Sequence, residues 1–216
     1  MISIIIPACN EEKYLEDTIK SIKSQDFNNH EIIVVCDGCT DNTEKIAKKL
    51  TDKVVVLKDR KGPAVAKNEG VKVAKHGKLV FLDADTKLTE NVLTEISKAI
   101  DNNYYGTCRI EPSSKALKHR IMLTLKNHLV SPFGVSNGII FCSKDLFVKA
   151  GGFGDVKKGE DGNLVRKLKK DHKFVILHNS VINSTRRFDQ KGYLGVWLYW
   201  LKETIKPTDK DYEVIR

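Results

Sequence analysis

The sequence predicts one α/β domain over residues 1–216, a mostly parallel sheet with helices on both faces. Three observations carry that expectation. Short apolar runs rich in β-branched residues alternate with amphipathic stretches through the first half, the pattern of strand–helix–strand units. Several of these runs end in polar, carboxylate-bearing loops. No internal repeat, low-complexity tract or linker divides the chain, and 216 residues at 41% hydrophobic content can bury a sizeable core.

Met1 leads straight into residues 2–6, four isoleucines in five positions. The run is too short to cross a bilayer and lacks the basic start and cleavage site of a secretory signal, so it reads as a buried strand. Leu15, Ile19 and Ile22 then recur at i, i+4 and i+7, one face of a helix. Residues 32–35 and 54–57 are the second and third strands. Gly62 and Pro63 open a helix carrying Val65, Val71 and Ala74, and residues 79–82 form the fourth strand. Residues 116–130 read as a helix with Leu117, Ile121, Leu125 and Leu129 every four residues. A strand over 136–142 follows, and Ser143 caps a short helix that stops at Gly151 and Gly152. A helix over 163–170, a strand over 174–177 and a helix over 192–206 complete the chain.

The formal net charge of +9, from 37 Lys and Arg against 28 Asp and Glu, favours anionic partners such as phosphorylated small molecules. Thirty of those cations are Lys, spread along the chain, whereas base readers lean on clustered Arg. The expectation is a solvated Lys-rich surface and no nucleic acid. Five cysteines, an odd number without a framework, suggest reduced thiols in the cytoplasm. Cys36 and Cys39 make a CxxC, but no second CxxC or spaced His pair completes a zinc site.

Ligands of parallel sheets bind beyond the carboxyl ends of the strands. Here the first strand runs into Pro7, Ala8, Cys9, Asn10, Glu11 and Glu12, the second into Cys36, Asp37, Gly38, Cys39, Thr40 and Asp41, and the fourth into Asp83, Ala84 and Asp85. Three carboxylate loops converging on one edge repel unless a cation or hydrogen-bond donors intervene. Asp83 and Asp85, one residue apart, suit a hard divalent ion such as Mg²⁺ or Mn²⁺, which takes oxygen ligands and shares them with phosphate. Glu160 and Asp161 stand before a helix, where a carboxylate serves either as a cap or as a general base at the mouth of a site.

Six segments, in this order, resemble family-2 glycosyltransferases with the GT-A fold. They are Ser3 to Glu12, Val35 to Thr43, Ala66-Lys67-Asn68-Glu69-Gly70, Phe81-Leu82-Asp83-Ala84-Asp85, Gly151-Gly152-Phe153 and Gly159-Glu160-Asp161. The resemblance spans residues 3 to about 190. It implies an inverting, metal-dependent transfer of a sugar, hexosyl by expectation, from a nucleotide-sugar donor to a hydroxyl of a glycan, a lipid-linked or another acceptor. It further implies a donor-binding half over about 1–110 and an acceptor-binding half over about 111–216. Pro7, Ala8, Cys9 and Glu11 would border the base and ribose, Asp37 would accept a hydrogen bond from the base, and Asp83 and Ala84 would approach the ribose. Asp85 would hold the metal, Lys67 and the pair Arg186 and Arg187 would face the phosphates, and Asp161 would be the base. The sequence departs from the family pattern at Cys9, where an aromatic residue is frequent, at Cys36 and Cys39, and at Lys67, where Arg is.

Two rival reactions share parts of this pattern. Transfer to a polyprenyl phosphate needs no base, which Glu160 and Asp161 speak against. Nucleotidyl transfer needs a basic triphosphate loop where Asn10, Glu11 and Glu12 stand. A non-catalytic nucleotide-sugar-binding protein is the third alternative. His178, after a strand, is more simply a locally bonded residue than a metal ligand, and His119 and His128 read as solvated or capping. In the last helix Leu194, Trp197, Leu198, Leu201 and Ile205 form one apolar face, while Tyr193, Val196 and Trp200 fall outside it. Those three residues, flanked by Lys191, Lys202 and Lys206, suit a peripheral membrane contact or an oligomer.

Overall fold

The computed structural model describes residues 1–51, 53–154, 159–169 and 172–184, with Arg186, Phe188, Gly192, Tyr193, Gly195, Val196 and Leu198. The elements run β1 (Ile2–Ala8), α1 (Leu15–Lys23), β2 (His30–Asp37), α2 (Thr43–Leu50), β3 (Lys53–Leu57), α3 (Pro63–Val73) and β4 (Lys78–Leu82). They continue with β5 (Thr86–Leu88), α4 (Val92–Asp101), β6 (Tyr104–Pro112), α5 (Leu117–Leu125), β7 (Ile139–Ser143), α6 (Lys144–Lys149), α7 (Glu160–Leu168) and β8 (Lys173–Asn183). Between α5 and β7 the chain makes a π-helical turn (Lys126–Val130) and a 3-10 turn (Ser131–Phe133).

One eight-stranded sheet orders these strands β3-β2-β1-β4-β7-β6-β8-β5. β1 to β4 are mutually parallel, with Ile5 opposite both Ile33 and Phe81. β7 runs antiparallel to β4 and β6, β8 is parallel to β6, and β5 is antiparallel to β8. Alternation along the strands splits the core in two. Ile2, Ile4, Ile6, Val34, Val80 and Leu82 point to the face covered by α1, α2 and α4. Ile5, Ile33, Val35, Leu79 and Phe81 point to the face covered by α3, α6 and α7. β1 sends its crossover α1 to one face, and α3 returns on the other. The strand order therefore reverses beside β1, which opens a crevice at the carboxyl ends of β1 and β4.

Several elements differ from the sequence expectation. β5, α4 and β6 were not expected, and β8 extends to Asn183. A bulge opposite Cys108 and Arg109 leaves His178 and Asn179 out of the register. His178 is consequently exposed inside a strand. The helix expected over 116–130 continues, but as α then π geometry, and its row of leucine and isoleucine faces outward rather than into the core. His119 is buried, not solvated: it packs against the rings of Phe188 and Tyr193 at 5.5 Å. Val196 lies in the core and Leu198 is exposed, the reverse of the expected faces of the last helix. Most of that helix, with Trp197, Trp200, Leu194, Leu201 and Ile205, lies outside the described residues.

β6 and β8 approach so closely at Gly106 that an added Cβ would lie 1.9 Å from the Val175 carbonyl oxygen. Backbone cannot yield as a flexible side chain does. Gly106→Ala should therefore cost about 3 kcal/mol, the upper end for overpacking, read as a lower denaturation midpoint. Gly77→Ala, with nothing within 4 Å of its added Cβ, should leave the midpoint nearly unchanged.

Candidate active site

A cleft of about 350 Å³ fills the crevice beside β1 and β4. Its walls include Pro7, Ala8, Cys9, Glu11, Asp37, Asp83, Ala84 and Asp85 from the strand ends, with Asp161 and Arg186 from late in the chain. These are ten of the twelve residues singled out from the sequence. Arg187 lies outside the described residues, and Lys67 sits behind the wall rather than in it.

Much of the polar loop sequence is spent on holding the loops. Asn10, at a φ of 57°, donates from Nδ2 to Thr40 Oγ1 at 3.0 Å and accepts from the Thr40 N–H at 2.7 Å. Glu12 Oε2 accepts the Asn42 N–H at 3.0 Å and its Nδ2 at 2.9 Å. The Glu11 N–H donates to Thr43 Oγ1 at 2.7 Å, which leaves the Glu11 carboxylate to face the cleft. Asp37, nearly buried, accepts the N–H groups of Lys61 and Gly62 at 2.7 and 2.8 Å, so its carboxylate anchors the loop after β3 and brings Arg60 to the cleft. The Asp83 N–H donates to the Gly138 carbonyl at 2.9 Å, and the Asp83 carbonyl accepts the Thr86 N–H at 3.1 Å. Thr18 Oγ1 donates to the Ala84 carbonyl at 2.8 Å. The Asp83–Ala84–Asp85 turn is thereby pinned from both sides, with little freedom to be lost when a ligand arrives.

Cations supplied by other segments offset the expected repulsion. Arg186 forks onto Glu11, Nη1 to Oε2 at 3.0 Å and Nη2 to Oε1 at 2.8 Å. The same Nη2 lies 3.0 Å from Asp85 Oδ2, and the guanidinium stacks over the Tyr14 ring at 5.0 Å. This is the planar, bidentate geometry to which Arg is suited.

The second cation is Lys67, expected beside the phosphates; its ammonium is engaged by Glu160 and Asp161. Its side chain is 2% exposed, and Nζ donates to Asp161 Oδ1 at 2.6 Å and Glu160 Oε1 at 2.9 Å. The reason lies in α3. Ala64, Ala66 and Gly70 are small and buried, and a Cβ on Gly70 would meet Ile5 Cγ2 at 2.4 Å. The helix therefore lies close against β1 and β2, and Lys67 reaches α7 through the interior. Burial works against its charge, but the carboxylates of Asp161, Glu160 and Asp83 outweigh it and push the ammonium far up. Burial likewise pushes the Glu160 carboxyl up against the pull of Lys67, and Asp161 beside it adds to the push. Glu160 and Asp161 also occupy the first turn of α7, where the helix dipole favours anions.

Among the described residues no cluster of three or more His, Cys, Asp or Glu side chains is arranged for a metal ion. The donor set at Asp83 and Asp85 is nonetheless two hard carboxylates on one pinned turn, which fits a divalent ion that takes its other ligands from phosphate and water. All five cysteines are free thiols, so the CxxC is neither a disulfide nor part of such a cluster. Arg60, Lys126, Arg166 and Asn183 also line the cleft and were not expected. Arg60 follows β3, so the strand-end rule reaches it; nothing in the sequence marks the other three.

Removing the Lys67 ammonium would strand two adjacent, mostly buried carboxylates. Lys67→Met should destabilise the fold by about 3–5 kcal/mol, measured by denaturation. Adding Glu160→Gln to that variant should restore part of the loss, because it removes one of the two stranded charges. Had Lys67 served only a ligand, both variants would melt like the parent.

Known proteins share both sequence and fold with this chain. Residues 3–143 match the family described as Glycosyl transferase family 2. The chain is 28% identical over 192 residues to the GalNAc(5)-diNAcBac-PP-undecaprenol beta-1,3-glucosyltransferase of Campylobacter jejuni, covering 81% of this chain and 62% of that protein. It is 33% identical over 119 residues to the glycosyltransferase GlyG of Streptococcus pneumoniae, 49% of this chain and 40% of the relative. The chain thus spans no more than 62% of either relative. Among solved structures it resembles S. aureus TarS 1–349 in complex with UDP-GlcNAc, with a TM-score of 0.68, 21% identity, and coverage of 85% and 58%. It also resembles the mannosyltransferase PcManGT of Pyrobaculum calidifontis in complex with GDP-Man and Mn²⁺, with a TM-score of 0.73, 19% identity, and coverage of 94% and 61%. These likenesses show the GT-A type of α/β fold. With residues 3–143, more than half of the chain, matched to its model, the chain belongs to glycosyl transferase family 2.

Proposed function

We propose that this protein is an inverting glycosyltransferase that moves a sugar from a nucleotide-sugar donor to a hydroxyl of a glycan acceptor, free or carried on a lipid. One observation carries the reading: Asp83 and Asp85, on their pinned turn, and Asp161, at the start of α7, line the same cleft. The named activities of the relatives, including one on an undecaprenol-linked substrate, are consistent with it. Donor binding falls to about residues 1–110 and acceptor binding to about 111–216. The free thiols suit the cytoplasm, and no helix among the described residues is long and apolar enough to cross a membrane.

Pro7, Ala8, Cys9 and Glu11 border the nucleoside in this reading, and Asp37 holds the loop that closes over it. Asp85, with Asp83, holds a divalent ion, which supplies positive charge to the leaving diphosphate when bound. Arg60 and Arg186 add cationic groups on the same walls. Asp161 takes the proton of the acceptor hydroxyl as its oxygen bonds to the anomeric carbon. The bond from that carbon to the diphosphate oxygen breaks, the electron pair leaves with the nucleotide, and attack from the opposite face inverts the centre. Lys67 orients Asp161 from behind and does not touch the donor.

Asp161→Asn keeps the shape of the side chain but cannot take the proton. Turnover should fall by about 10²–10⁴-fold, with the donor dissociation constant little changed. A phosphate acceptor would make the same substitution nearly silent, and full activity in folded protein would end the case for Asp161. The role of Asp85 predicts that EDTA abolishes the thermal shift given by UDP or GDP, and that Mn²⁺ restores it. Equal shifts with and without chelator would refute it.

A further inference from the structure

We propose that the outward face of residues 117–133 is a docking surface for an anionic lipid bilayer. Leu117, Ile121, Leu125, Leu129 and Phe133 form a row along α5 and the two turns that follow, between 38% and 69% exposed. The other side of the same segment is already committed to the protein: His119, Leu123, Lys126 and Val130 are buried. The row is therefore not a core stripe that failed to pack. A four-residue spacing on a 3.6-residue helix drifts by about 40° each step. The wider π turn at Lys126–Val130 lessens that drift and keeps Leu129 near the line of the row.

Charge selects the occupant. Residues 112–144 contain no Asp or Glu, while Lys115, Lys118 and Arg120 are exposed beside the row. An apolar row whose own flanking charges are all cationic is what an interfacial helix presents to acidic headgroups. A second copy of this chain would oppose like margins on molecules of net charge +9, which disfavours self-association. The segment lies along the surface rather than through it, since no described helix is long and apolar enough to cross. Phe133 ends the row and also lines the cleft, so docking would bring the mouth of the cleft to the membrane plane. The surface stands whatever reaction the cleft performs, and its test needs no donor.

The test is sedimentation of the full chain with vesicles of phosphatidylglycerol and phosphatidylcholine, beside vesicles of phosphatidylcholine alone. Binding is expected to the first and to be weak to the second. Ile121→Glu with Leu129→Glu should weaken binding by about tenfold or more with the melting temperature unchanged. Val56→Glu with Val148→Glu, exposed apolar positions off the row, makes the same charge change and should leave binding intact. The proposal falls if the parent ignores anionic vesicles, or if both double variants lose binding equally. It also falls if light scattering shows a dimer that only the row variant breaks, without vesicle binding.

Discussion

The ion triad of Lys67, Glu160 and Asp161 ties α3 to α7 across the face of the sheet, and the placing of the cleft depends on it. An ammonium at 2% exposure cannot be left unpaired, and two neighbouring carboxylates on one helix turn cannot share a buried site without it. Each side therefore fixes the other. α3 must lie close to β1 and β2 for Lys67 to reach, which small residues and Gly70 permit. α7 must begin at the rim for its first turn to meet Lys67, and Gly159, in the left-handed region at a φ of 69°, turns the chain into it. Once those constraints are met, Asp161 faces a cleft with one oxygen held. A carboxylate positioned in this way has lost most of its rotamer freedom before any acceptor arrives.

How much of this was legible follows from what each residue spends its side chain on. The parallel half was readable because β1, β2, β3 and β4 are apolar runs between amphipathic helices, and their register puts the polar loops on one edge. The cleft residues at those ends followed from the same rule. The depth of Lys67 was not legible, because its motif position says nothing of it: only the close seating of α3, with Gly70 against Ile5 and Val35, accounts for a side chain that runs inward. The row from Leu117 to Leu129 carries the opposite lesson. Apolar spacing identifies a helical face, but cannot say whether that face meets a core or a partner. β6 mixes Gly106, Thr107 and Arg109 among its apolar residues, and β5 is three residues long, so neither presents a run. α4, by contrast, has clear helical spacing in Val92, Ile96, Ala99 and Ile100, and the sequence was sufficient for it.

The two parts of the chain exchange charge in both directions. Lys67, from the first part, neutralises Glu160 and Asp161 of the second; Arg186, from the second, neutralises Glu11 and Asp85 of the first. Repulsion among strand-end carboxylates, anticipated from their convergence, is thus met by protein cations before any metal or donor is considered. The arrangement has a structural consequence. Residues 3–143, the extent of the family match, contain Lys67 without its anions and Glu11, Asp83 and Asp85 without Arg186. That segment holds the parallel strands β1 to β4, but not the electrostatic closure of the cleft beside them. The balance of the cleft is a property of the chain through residue 186. Residues at and beyond Glu160 are therefore part of what keeps the first part's polar loops in place, as well as part of the cleft they complete.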